Sequence, residues 1–218
     1  KSGIYLLHGS CALLNKKAVF FGDDGNSMAK TLASVECALV SNEYIGDEFC
    51  FYDESSGNVF SYDFVPIHIR ECVNNHLIEK YNYKLPPSKY DPSEAGYFFN
   101  PDNLFQFVKS AKLESMYFIH FNKKLNCKKL LEREGAKAGV SVCLTSHIVK
   151  LLNPHLDRMR FSEKSDSSDQ RKISAITANQ VLKKFSIGSG VNKIIDSIPV
   201  YRLDLISPSE IPSLVMKS

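Results

Sequence analysis

The 218-residue sequence has no tryptophan, only six cysteines and no long apolar run. Its greasiest stretches, Ala18–Phe21 and Met116–Phe121, are strand-sized, whereas a membrane-crossing helix needs about 20 apolar residues, so no membrane partner is expected. Cys11, Cys37, Cys50, Cys72, Cys127 and Cys143 are scattered, without a C-x-x-C pair, and read as buried reduced thiols rather than a disulfide framework or a zinc site. Charge of one sign is also scarce: 27 basic against 24 acidic residues leaves +3, too little to imply a nucleic-acid partner. Lys1 is not followed by the apolar and small-residue pattern of a secretory leader, and a cytoplasmic location is expected. An apolar content of 44% and a charged content of 23% exclude collagen-like, wholly disordered and coiled-coil chains. At about 150 residues per domain the length corresponds to about 1.5 domains, one large domain or a core with an appendage, and a single domain over residues 1–218 is the reading adopted.

Along the chain, the apolar runs Ile4–Leu7, Cys11–Leu14 and Ala18–Phe21 predict strands, the last two joined by a turn at Asn15–Lys17. Leu32, Val35, Leu39 and Val40 recur near helical spacing and predict a helix over Lys30–Ser41. Tyr44–Ile45, Phe49–Tyr52 and Val59–Tyr62 follow as strands, with a turn at Glu54–Gly57. Helices are expected at Arg70–Tyr81, Asp102–Ala111, Cys127–Glu134, Val140–Leu152 and Ser174–Phe185, and strands at Met116–Phe121 and Val200–Leu205. Lys84–Ala95, with three prolines, reads as an exposed loop, and Ile187–Gly190 as a glycine-serine break. The wholly polar Ser162–Lys172 is expected to be a mobile loop within the single domain.

The chemistry is concentrated in Ala18–Thr31, AVFFGDDGNSMAKT. A buried strand enters a polar, glycine-bearing loop that ends in Lys-Thr where a helix begins. Backbone N–H groups of such a loop converge on phosphate oxygens, and the helix N-terminus adds partial positive charge. Gly22, Gly25, Asn26, Ser27 and Ala29 would line the phosphates, Lys30 would reach the terminal ones, and the Thr31 hydroxyl would ligate Mg²⁺. The loop departs from G-x-x-x-x-G-K-[ST]: Ala29 stands at the second glycine and Asp24 at the first, which implies a loop longer or differently wound. A strand–turn–helix connection with a coincidental Lys-Thr is the competing reading. Beyond the helix, Gly46-Asp47-Glu48 places two carboxylates together. They read either as a solvated turn or as a metal-holding acid beside a proton acceptor. His8-Gly9 sits between the first two apolar runs.

Taken in order, His8-Gly9, the turn at Asn15-Lys16, the Gly22–Thr31 loop and Gly46-Asp47-Glu48 resemble the catalytic domain of HPr kinase/phosphatase and its relatives, whose nucleotide-binding core is shared with phosphoenolpyruvate carboxykinase. Pro66-Ile-His-Ile-Arg70 and Ile198–Asp204 are similar to two further strands of that family. The resemblance implies an α/β fold with a mixed, strand-rich sheet around a phosphate-binding loop and flanking helices. It further implies that Lys30 grips the phosphates of ATP, that Thr31 and Glu48 hold Mg²⁺, that Asp47 is the general base and that His8 lies by the transferred phosphate. The expected activity is γ-phosphoryl transfer to a hydroxyl, of serine type, in an unidentified protein, peptide or small molecule. A non-catalytic nucleotide- or phosphate-binding module of a larger assembly is the alternative, and an oligomer is compatible with either. His68 stands near the place of a family metal-binding acid. Arg158, Arg160 and Arg171 flank the polar tract, and His120, His147 and His155 lack metal-ligand spacing.

Overall fold

The computed structural model describes residues 3–22, 27–82, 84–86, 90–92, 95–121, 126–129, 133–152, 188–205 and 207–217. The expected helices and loops at 162–172 and 174–185, and Arg158, Arg160, Arg171 and His155, lie outside the described residues, as do 23–26.

The first strand, β1, runs unbroken over Ile4–Leu14, where two short strands were expected. The bridging residues His8, Gly9 and Ser10 are polar or small, which hides the strand in an apolarity pattern, yet all three are buried. Asn15 and Lys16 turn the chain with φ of 52° and 65°, the paired positive angles of a two-residue hairpin turn that matches strand twist. The hairpin returns as β2 (Lys17–Gly22), in register from Leu14↔Lys17 to Gly9↔Gly22. Helix α1 covers Ser27–Ser41. It starts three residues before the expected Lys30, because Met28 and Ala29 are good helix formers. β3 (Glu43–Gly46), β4 (Phe49–Asp53) and β5 (Asn58–Phe60) follow, then β6 (Ile67–Arg70) and α2 (Glu71–Tyr81). Asn82, at φ 48°, closes α2 with its N–H on Ile78 and Leu77 carbonyls.

The expected loop at 84–95 contains a short strand, β7 (Tyr90–Asp91), which joins β8 (Gly96–Phe99) and β6 in a three-stranded sheet. The helix expected at Asp102–Ala111 is absent. Asn100 caps only a 3₁₀ turn at Pro101–Asn103, and the chain then extends as β9 (Gln106–Phe107) and β10 (Ser110–Phe121). Aromatic and β-adapted residues there are drawn into sheet pairing, which overrides weak helical spacing. Likewise Asn126–Lys129 is a strand, β11, paired with β12 (Val200–Leu205), while residues 130–132 lie outside the described residues and Arg133 belongs to a helix. That helix, α3 (Arg133–Leu152), joins two segments that were expected to be separate. Of the expected glycine-serine break, Ile187 lies outside the described residues, and Gly188, Ser189 and Gly190 open α4 (Gly188–Ser197). There Gly190 packs so tightly that a Cβ would lie 2.3 Å from the Tyr5 ring. The short α5 (Ile211–Val215) is the last described helix.

Among the described residues, nine strands form one mixed sheet: β2 and β12 run parallel to β10, while β1 is antiparallel to β2, β3 and β4. The pairings β1–β2, β2–β10, β10–β5, β5–β4 and β4–β1 close on themselves into a ring. Two cores result. Leu7, Phe20, Cys50, Val59 and Met116 pack against Val140 and Cys143 of α3 and Ile194 of α4. Phe21, Tyr44, Tyr117 and Leu203 pack with Val35 and Ala38 of α1, with β6 and α2, and with Ile211 and Val215 of α5. Full burial of each large apolar side chain contributes about 1.5–3 kcal/mol. Cys11, Cys37, Cys50 and Cys143 are buried free thiols, as expected, whereas Cys72 is exposed. Among the described residues, no helix is long and apolar enough to cross a membrane.

Candidate functional site

β1 changes partner at His8. Up to that residue it pairs with β4, and from Gly9 onward it pairs with β2. The same point faces the first turns of α1, so one strand residue, one helix start and the β3–β4 connection converge. Gly22 ends β2, buried, and a Cβ on it would stand 2.4 Å from the Phe118 ring and 2.7 Å from Cys143 Sγ. This glycine therefore allows β2 to lie close under α3. Gly25 and Asn26 lie outside the described residues, while Ser27 and Ala29 belong to the backbone of α1.

Lys30, only 1% exposed, is among the largest fully buried side chains. Its Nζ lies 2.8 Å from His8 Nε2 and 3.0 Å from Glu48 Oε1. An ammonium only donates, so Nε2 of His8 accepts, and the imidazole proton sits on Nδ1. Nδ1 then donates to Glu48 Oε2 at 3.1 Å. This three-membered circuit keeps a buried cation paired, where an unpaired one would cost several kcal/mol.

Asp47 is fully buried one residue away. The Thr31 hydroxyl donates to its Oδ1 at 3.0 Å and lies 3.2 Å from Oδ2, and the His68 backbone N–H donates to Oδ2 at 3.3 Å. Burial, then the Glu48 charge, pushes the Asp47 carboxyl up to about 6, while Lys30 and hydrogen bonds from Ser10 and Thr31 pull the other way. The two acids occupy a three-residue turn in which Phe49 N–H donates to Asp47 O at 2.6 Å. Glu48, at its centre, has φ 60°, as in the rarer, strained γ-turn. Such strain persists where surrounding contacts hold it, and here the Lys30 and His8 contacts do so. The acids thus point inward rather than forming a solvated turn.

Sequence reasoning missed the supports. Ser10 Oγ lies 2.5 Å from Ser34 Oγ and 2.9 Å from Tyr44 OH, and Ser34 donates to Thr31 O at 2.9 Å. This buried net ties the start of α1 to β1 and β3. Its signal was two serines inside apolar runs, a pattern without a motif. His68, on β6, brings its backbone amide to Asp47, and its ring stacks on Phe98 at 4.5 Å.

Among the described residues, no group of three or more His, Cys, Asp or Glu is placed to hold a metal by itself. The donors present are hard oxygens: the Thr31 hydroxyl and the Asp47 and Glu48 carboxylates. They fit Mg²⁺, which takes one or two protein oxygens and fills its shell with water and phosphate.

No family model matches the sequence, and no curated protein is significantly similar to it. Among solved structures, the chain is similar to the HPr(Ser) kinase/phosphatase from Coxiella burnetii, with a TM-score of 0.34 and 12% identity over 56% of this chain and 62% of that one.

Proposed function

We propose that the protein is an ATP-dependent phosphotransferase acting on a hydroxyl acceptor of serine type. The observation that carries this reading is the buried pairing of Thr31 with Asp47 beside Lys30, at the start of the helix that follows β2. Lys30 would release Glu48 and His8 to neutralise the terminal phosphates, and the helix start adds its amides. Thr31 and Glu48 would hold Mg²⁺, which would supply charge neutralisation on the β- and γ-phosphates. Asp47 takes the acceptor hydroxyl proton. The new O–P bond forms as the bond from the γ-phosphorus to the β–γ bridging oxygen breaks, and ADP leaves with that electron pair. A base with a pKa pushed to about 6 is ionised at neutral pH yet basic enough to accept the proton.

The test has two parts. Mg-ATP at about 100 times its dissociation constant should stabilise the fold by about 2.7 kcal/mol, and Lys30→Ala should abolish that gain. ATP consumption should then require Asp47. Binding without Asp47-dependent turnover would favour the second reading, a silent nucleotide-binding module, which Ala29 in place of the loop glycine supports.

A further inference from the structure

An aromatic surface extends from the candidate site along the sheet. Side chains alternate across a strand, so His8, Leu6 and Ile4 share one face of β1. In register, Phe49 stands opposite His8, and Phe51 stands opposite Leu6 on one side and Phe60 on the other. The opposite face, with Leu7, Cys50, Tyr52 and Val59, is the closed core against α3 and α4. The Phe51 and Phe60 rings stack at 5.3 Å, and Tyr62 meets them edge-on at 5.7 and 6.2 Å. Phe64 stacks on Tyr62 at 5.2 Å. Exposure is high for such residues: 40% for Phe49, 46% for Tyr62 and 76% for Phe64. Beside them, Phe60, Tyr62, Asp63, Phe107 and Lys109 line a cavity of about 380 Å³.

We infer that this face docks an extended, apolar or aromatic polypeptide segment of the acceptor, adjacent to the hydroxyl that is phosphorylated; the inference rests on the proposed phosphotransfer. Three features favour that occupant. The surface is continuous with the site, since Phe49 is the direct cross-strand neighbour of His8. Its rows, two residues apart, repeat about every 6.8 Å, the same-face spacing of an extended peptide. At about 150–250 Å² for a whole aromatic side chain, the exposed fractions give about 240–400 Å² of apolar surface. A stable dimer needs about 800 Å² per partner, so the patch suits a short segment rather than a second copy of the chain.

The experiment uses the full chain and two synthetic serine peptides. One carries Phe and Leu two, four and six residues from the serine; the other carries Asn and Gly there. Anisotropy of the labelled peptides measures binding, phosphate incorporation measures turnover, and the variant is Tyr62→Ser with Phe64→Ser. The apolar peptide should bind at least tenfold tighter than its polar counterpart, and the variant should erase that difference while keeping Mg-ATP stabilisation. Equal binding of the two peptides, or a variant indistinguishable from the parent, overturns the proposal. A variant that changes oligomeric state on gel filtration and leaves peptide binding intact also overturns it, and makes the face a self-interface. Peptide binding without phosphorylation overturns phosphotransfer to this acceptor, and hence the proposal as stated, whereas loss of Mg-ATP binding in the parent chain overturns the proposed function itself.

Discussion

The Thr31 hydroxyl, sixteen residues from Asp47 in the chain, donates to a carboxylate that no solvent reaches. Asp47 is raised above its ordinary 3.8 to about 6, chiefly by burial and next by Glu48. A carboxyl raised in this way binds its proton more tightly folded than unfolded. Stability is therefore greatest below the unfolded value and falls as pH rises through about 6. Asp47→Asn removes the buried charge and keeps an oxygen for Thr31. About 1 kcal/mol is lost where the new amide meets the His68 N–H. The variant should gain about 1–2 kcal/mol over the parent at pH 8, with the gain vanishing near pH 4, against a limit of about 3 kcal/mol from the shift itself. Urea unfolding at both pH values measures this, and an equal or less stable variant at pH 8 refutes it.

Under the proposed function the same group would set the pH profile of turnover. A base that must be ionised gives kcat/KM rising tenfold per pH unit below about 6 and flat above it. An invariant profile between pH 5 and 8 would remove Asp47 from the role of base.

Glu48 holds Lys30 at 3.0 Å and accepts the hydrogen bond from His8 Nδ1, so under the proposed function it would compete with phosphate for both. Glu48→Gln should tighten ADP binding several-fold without Mg²⁺, because Lys30 is freed. With Mg²⁺ present the gain should shrink or reverse if the carboxylate helps to hold the ion. Calorimetric titration with and without Mg²⁺ separates the two effects. Unchanged affinity in both conditions means that Glu48 only braces the turn.

How far these relations were legible depends on what kind of signal carried them. Lys30, Thr31, Asp47 and His8 lie together in the structure, and strand–loop–helix order and an acid pair beyond the helix are visible in a linear pattern. The single strand Ile4–Leu14 was obscured because its polar centre is buried by contacts from α1 and the β3–β4 turn. Asn126–Lys129 was misjudged for a related reason: it is a strand only through β12, some seventy residues on, and its local composition contains no trace of that partner. Ser10 and Ser34 carried no motif, since a hydroxyl net is recognised only once three elements meet.

Gly22 illustrates a residue whose type was legible and whose reason was not. A Cβ there would meet the Phe118 ring at 2.4 Å and Cys143 Sγ at 2.7 Å. Gly22→Ala should therefore cost about 1–3 kcal/mol by overpacking. Cys143→Ala removes one of the two obstacles, so the pair of substitutions should cost less than their sum. Chemical denaturation of the three variants tests this, and strict additivity would place the strain elsewhere.

Glu36, on the same helix as Lys30, is 1% exposed, and its carboxylate is shared between His76 Nε2 at 2.5 Å and the Tyr81 hydroxyl. Burial, and next the Glu36 hydrogen bond, push the Tyr81 phenol well up, so it stays a donor at every working pH. The pair clamps α2 onto α1. Tyr81→Phe removes one donor from a buried carboxylate and should cost about 1–3 kcal/mol, since a stranded buried acceptor keeps its desolvation penalty. Glu36→Leu added to Tyr81→Phe and His76→Leu removes the polar group together with both partners, and should recover most of that loss. Mg-ATP stabilisation should stay as in the parent throughout, because none of the three side chains touches Lys30 or Thr31 in the hydrogen bonds that hold the clamp. A triple variant no more stable than Tyr81→Phe alone would show that the cluster's shape, rather than its satisfied charge, joins the helices.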